Sequence, residues 1–319
     1  MPSTISRRGF LCALAATTAW VACGGKALAL SSEKPGIPIA MFHKVDESPR
    51  YPEDLSSAQL GGIFNYAWDL GFYPVNMSDI LRGRVDRVVP RGLKPLGITC
   101  DDTHRSVIYT LEQSKHQDQR NQRSFYEIFT SSAAARGFDP RATLFASENS
   151  NDRLPEPGGY FGNTSALPAI LKTMAKTPAV ELAYHTRTHK RMSKMGYDET
   201  AASLKDQMEQ FAQMGVADRV VKILSYPYGL PPSDKGIAAL KDLGFLGAVE
   251  AMPGVNEGRS GEAPLCDYDG KLLAPPFHIP RINIGPGGYD RNFKIYFADP
   301  VSDFDKDIRN RGPLYLSKG

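Results

Sequence analysis

The stretch Leu96 to Val107, LGITCDDTHRSV, joins a short apolar run to two adjacent aspartates. Leu96, Ile98 and Thr99 read as a buried strand, and Asp101 and Asp102 stand where that strand must stop. Neighbouring carboxylates repel each other, so a fold tolerates such a pair most easily where water, a metal or a cation compensates. The stretch therefore marks both a strand end and a place for chemistry.

Working outward from it, strands and helices alternate. IPIAMFH (37–43), ATLFA (142–146), VELAY (180–184), VKILSY (221–226), FLGAVE (245–250) and IPRINI (279–284) are apolar runs of strand length. Between them lie helical patterns. One starts at Ser56 or Ser57, buries Leu60, Ile63, Phe64, Ala67 and Leu70, and stops at Gly71. A second runs through Phe125, Ile128 and Phe129 to Gly137. A third turns Leu204, Met208 and Phe211 inward and ends at Gly215, and a fourth is capped by Ser233. This alternation favours parallel strands joined by crossover helices. No linker-like boundary divides the chain, so the expectation is an α/β fold with a single barrel of seven or eight parallel strands. Two long segments, 147–168 and 251–277, follow predicted strands and are placed to shape a groove.

Residues 1–29 read as an export signal rather than as part of the fold. Arg7 and Arg8 precede Gly9, Phe10 and Leu11, then a mildly apolar run leads to Ala27-Leu28-Ala29. Paired arginines of this kind resemble the twin-arginine type, which implies a periplasmic or secreted product. Val21-Ala22-Cys23-Gly24 leaves lipid attachment at Cys23 as a second route, although Trp20 stands where an aliphatic residue is usual. The apolar run is too short for a comfortable membrane span, so stable membrane insertion is not expected. The 30–319 segment is then one catalytic domain. With 38 basic and 35 acidic side chains, the net charge of +3 offers no footprint for nucleic acid. Beyond the signal only Cys100 and Cys266 remain, too few for a disulfide scaffold, and Cys100 reads as a buried, inert thiol. Oligomeric state is not legible.

Two further motifs carry chemistry. VELAY is followed by His185 and His189, four residues apart, a spacing that puts two imidazoles on one face in helical geometry. Two histidines and a carboxylate make a three-ligand site with open positions, a pattern that suits a hydrolytic divalent metal. The second aspartate is then available as a general base. LSYPYG, Leu224 to Gly229, reads as a rigid turn at a strand end, able to aim the Tyr228 amide at a developing oxyanion.

TCDD, HTRTH and YPYG, in this order and at strand ends, resemble the polysaccharide deacetylase family of metal-dependent carbohydrate esterases. The resemblance runs from IPIAMFHKV to HIPRINI. It implies a distorted (β/α) barrel that removes acetyl groups from N- or O-acetylated sugars. It further implies Asp101 as base, Asp102, His185 and His189 as metal ligands, and the Tyr228 amide as oxyanion donor. Zinc is the leading metal, with cobalt, nickel and manganese open. The implied partner is an acetylated polysaccharide or oligosaccharide, with no nucleic acid.

The departures are specific. The family usually has Phe where Cys100 stands and Gly where Thr103 stands, and neither side chain does chemistry. It often has Arg where Ser225 stands, orienting the base; Arg281 of IPRIN is placed to reach Asp101 from another strand instead. The family's late Leu-x-His motif is missing, leaving His278 as the one histidine downstream of the third motif and the candidate general acid. His43 and His104 are expected in the pocket wall. Two alternatives stay open: hydrolysis of another non-peptide amide on the same fold, and glycan binding without catalysis.

Overall fold

The computed structural model describes residues 37–49, 53–104, 106–108, 123–148, 167–251 and 276–285. The expected export signal (1–29), Cys266 and most of both long loops lie outside the described residues.

Strands β1 (Ile39–Phe42), β4 (Phe72–Val75), β5 (Lys94–Cys100), β6 (Ala142–Ala146), β7 (Val180–Tyr184), β8 (Val220–Ser225), β9 (Gly247–Val249) and β10 (Ile282–Asn283) form one sheet in the order β10-β1-β5-β6-β7-β8-β9, with β4 also on β5. A two-stranded ribbon, β2 (Lys44–Val45) with β3 (Asp54–Leu55), lies apart from it. Every pairing is parallel. Ile279 bridges Val249 of β9, and three residues further on Ile282 and Asn283 pair with Ala40 and Met41 of β1. One extended segment thus touches both ends of the strand order and draws the sheet into a distorted (β/α) barrel, as the sequence predicted.

The helices are α1 (Ser57–Asp69), α2 (Met77–Leu81), α3 (Val85–Val88), α4 (Phe125–Ala134), α5 (Leu167–Lys176), α6 (Tyr197–Gln213) and α7 (Asp234–Asp242). Ser56 caps α1 and Ser124 caps α4, each in a reciprocal box with a side chain three residues on. These helices cover the sheet with aromatic side chains: Phe64 of α1 stacks on Trp68 at 5.7 Å and meets Phe129 of α4 at 5.2 Å. Trp68 is anchored by an Nε1–H donated to Ser132 Oγ at 2.9 Å, which fixes α1 against α4. Among the described residues no helix is long and apolar enough to cross a membrane.

Strand β4 carries Pro74 at its centre. Proline has no N–H for a ladder, but β4 pairs with β5 alone, so the missing donor costs it no partner strand. One residue of β5, Ile98, separates its partners: Gly97 pairs with Val75, while Thr99 and Cys100 pair with β6. β4 and β6 therefore follow one another along the same edge of β5. All strands run the same way, so the segments after β1, β5, β7, β8 and β10 open on one end of the barrel.

Candidate metal and active site

Strand β5 ends at Cys100, and the chain then turns sharply: Asp102 and Thr103 both take left-handed backbone angles, with φ of 71° and 51°. A β-branched residue in that region is strained, which explains why glycine suits the Thr103 position. Here the Thr103 hydroxyl compensates in part by accepting the Ser147 N–H at 3.0 Å, tying the turn to the end of β6. Asp101 and Asp102 project in different directions from this turn and acquire different partners.

Asp102 faces the histidines. Its Oδ1 lies 3.1 Å from His185 Nε2 and 3.3 Å from His189 Nε2. His185 and His189 are four residues apart, but not on a helix as the spacing suggested. They sit in an irregular turn after β7, where Thr186 (φ 56°) and His189 (φ 52°) are left-handed. This turn, rather than a helical face, brings the rings together at 4.7 Å. It is held from outside: Arg187 pairs with Glu148 and Asp206, and its carbonyl accepts the Glu148 N–H at 2.8 Å. His185 Nδ1 lies 2.8 Å from the Ser225 carbonyl, which fixes Nδ1 as the protonated nitrogen and leaves Nε2 as a donor atom toward Asp102.

One potential ligand atom from each of Asp102, His185 and His189 lies within 4.8 Å of the other two, and all three residues are buried. Two imidazoles and a carboxylate, preoriented by a carbonyl behind one of them, fit a divalent metal ion. Burial pushes the His189 imidazole down to about 4, despite the opposing charge of Asp102. Burial acts the same way on His185, but Asp101 and Asp102 outweigh it and its affinity for a proton is raised. His189 is thus the neutral partner near neutral pH, ready to donate a lone pair.

Asp101 faces Arg281. Arg281 Nη1 and Nη2 donate to Asp101 Oδ1 and Oδ2 at 2.7 and 2.8 Å, and Ser225 Oγ donates to Oδ2 at 2.7 Å. Burial alone would raise this carboxyl's pKa, but the charges of Arg281 and His185 hold it well below the usual carboxylate range. Arg281 is itself anchored, with Nε donating to the Glu250 carbonyl at 2.8 Å and Nη1 to Thr99 Oγ1 at 3.2 Å. The contact expected from sequence is present. Ser225 adds a part that its uncharged hydroxyl did not advertise: it accepts from Arg281 Nη2 at 2.8 Å while donating to Asp101.

Tyr228 sits in a tight turn at Pro227–Gly229 with φ 59°. Its ring meets that of His189 at 4.7 Å with the planes tilted by 55°, and the Arg191 guanidinium lies 4.8 Å from the centre of the same ring. Gly229, at φ 68°, cannot be replaced without collision, because a Cβ there would come within 2.4 Å of Ala251. Cys100 carries a free, buried thiol, and burial together with Asp101 and Asp102 raises its pKa well above the ordinary thiol value. That matches an inert core residue.

A cavity of about 260 Å³ joins these groups, lined by Asp101, Asp102, both histidines, Tyr228 and His43 among others. His278 does not reach it. Its Nδ1 is paired with Glu250 at 2.8 Å and its side chain is 43% exposed, because the chain that carries it runs alongside β9 before turning in at Arg281. His104 is likewise a structural residue, its Nδ1 held by the Ser106 hydroxyl and N–H. His43, two residues beyond Met41 on the inward face of the β1 segment, is the third histidine of the cavity. It stands in the pocket wall, where the sequence placed it.

The fold and site define an α/β-barrel with a buried carboxylate–histidine cluster at the strand ends. The model of the family described as polysaccharide deacetylase matches residues 104–248, a little under half of the chain. The match begins just after Asp102, and the barrel carries the aspartates to the histidines that it includes. The structure is similar to that of the Streptococcus pyogenes deacetylase PplD in complex with acetate, at 16% identity and a TM-score of 0.52 over 83% of this chain and 100% of that one. It is also similar to IcaB from Ammonifex degensii, at 14% identity and a TM-score of 0.54 over 84% and 99% of the two chains. A de-N-acetylase from Aggregatibacter actinomycetemcomitans matches at 14% identity with a TM-score of 0.54, over 82% and 99%. At these identities the likeness is one of fold. No curated protein matches by sequence.

Proposed function

We propose that the chain is a metal-dependent hydrolase that removes acetyl groups from an acetylated polysaccharide or oligosaccharide. The observation that carries this reading is the division of labour between adjacent aspartates: Asp102 faces two histidines, while Asp101 faces a buried guanidinium.

Asp102, His185 and His189 would hold the metal, which would supply Lewis acidity toward the acetyl carbonyl and the attacking water. Asp101 takes the proton from that water. Arg281 and Ser225 keep its carboxylate ionised and aimed, so the base is present across the neutral range. The Tyr228 amide, set by its left-handed turn, donates to the oxyanion as the carbonyl becomes tetrahedral. His43, the remaining histidine of the cavity, gives a proton to the departing amine or alkoxide. His278 has no part in this scheme, since Glu250 holds it outside the cavity.

Residues 1–29 act as a twin-arginine export signal in this reading, delivering the domain 30–319 to the periplasm or beyond, where acetylated glycans lie. The deciding experiment is acetate release from a panel of acetylated glycans by the purified protein, with metal content measured on the same sample. Metal bound in about one equivalent with acetate release supports the reading. Stoichiometric metal with no acetate from any glycan or small acetate ester overturns it.

A further inference from the structure

Arg281 and Asn283 are two residues apart in extended chain, so their side chains share a face. Arg281 points inward to Asp101, and Asn283 lies one step nearer the open end of the barrel. Register places Asn283 opposite Met41 of β1, and both line the cavity that contains Asp101, Asp102 and His43. Ile282 and Ile284, on the alternate face, are buried in the apolar core. The sequence thus keeps an amide at a position in the cavity wall where its strand neighbours are isoleucines.

The oxygen of that amide is not used by the fold. Asn283 Oδ1 is buried and has no hydrogen-bond partner among the described residues. A buried polar atom left in this way reduces stability, and one that faces a cavity is available to a ligand. The geometry points to Asn283 as a substrate-positioning residue: its amide binds a hydroxyl of the acetylated sugar, on the β1–β10 wall of the cavity. This inference rests on the reading that the cavity receives an acetylated glycan. A hydroxyl suits the amide because it donates to Oδ1 and accepts from Nδ2, and the broad χ2 well of asparagine lets either end turn to the cavity. Asn283 holds the sugar, and with it the acetyl carbon, against the Asp101 side of the site; it takes no proton.

The test uses Asn283→Leu and Asn283→Ala in the full chain, with two probes: an acetylated oligosaccharide that the wild-type protein deacetylates, and a small aryl acetate with no sugar hydroxyl. Leucine has nearly the size of asparagine and no polar atom, so Asn283→Leu is expected to raise Tm and keep metal content. Its loss of kcat/KM on the oligosaccharide should exceed its loss on the aryl acetate by about tenfold or more, mostly through KM. Asn283→Ala should show the same bias without the gain in Tm. Equal losses on both probes, or a fall in Tm for Asn283→Leu, overturn the positioning role and leave the hydrolase reading intact. Failure of the wild-type protein to hydrolyse either probe overturns the hydrolase reading and the subsite with it.

Discussion

Arg281 and Asp101, separated by 180 residues, meet in a two-pronged contact of 2.7 and 2.8 Å in which the guanidinium is wholly buried. Removing one partner of such a pair leaves an uncompensated charge in the interior. Arg281→Ala should therefore cost about 3–5 kcal/mol in denaturant unfolding, well beyond the effect of a surface pair. The sign with pH follows from the depressed carboxyl. The pair stabilises the fold above the unfolded carboxylate value of about 3.9 and loses that contribution as pH falls below it.

Asp101→Asn separates base from scaffold. The amide fills the same space and keeps one acceptor for Arg281, so metal content should be retained. Acetate release should drop by roughly 10²–10⁴, the usual worth of a general base. Retained turnover at the wild-type level would remove Asp101 from the mechanism.

His189→Ala and His185→Ala should each abolish metal binding and acetate release together, since each removes one of three ligands. Metal analysis beside an acetate assay reads both. A His189→Ala protein with full metal and activity would refute the ligand assignment.

Arg187 is on the outer side of the histidine turn, paired with Glu148 and Asp206. It braces a segment with two left-handed residues, each worth about 1–3 kcal/mol of strain. Arg187→Ala should weaken metal affinity by about tenfold in a chelator competition, as expected for support behind the ligands. Its Tm should change little, because the pair is partly solvated. A large fall in Tm with unchanged metal affinity would make Arg187 a general fold residue instead.

Glu181 is buried at the other end of β7, accepting from Ser78 N–H at 3.1 Å and Thr143 Oγ1 at 2.9 Å. Burial raises its pKa despite these donors, so ionisation is penalised in the folded state. Stability is lost as pH rises from the unfolded value toward the folded one. Glu181→Gln keeps an acceptor without the charge, so it should raise Tm at about pH 8 and lose the gain by about pH 4. Equal Tm at both values would show that the site accommodates the charge.

Local pattern was sufficient for most of the scaffold. Strands β6 and β7, the Ser56 cap and the Gly215 stop are readable because burial and backbone rules act over a few residues. Helix α5 was not read, because its first residues, Leu167 and Pro168, close the long polar segment 147–168, although Leu167, Ile170, Leu171 and Met174 stand at helical spacing. Strand β4 was not read either, because Pro74 reads as a break until its one-sided pairing is seen. The chemical character of the site was likewise open in sequence: three motifs in order, each an acid, a pair of imidazoles or a rigid turn at a strand end. What only tertiary structure decided was which groups share a point in space. Left-handed turns, not a helix face, aim the histidines; a segment bridging β9 and β1 delivers Arg281 to Asp101 and leaves His278 outside; alternation puts Asn283 inside. Those outcomes depend on barrel closure, which couples residues nearly two hundred positions apart and leaves no trace in any local window.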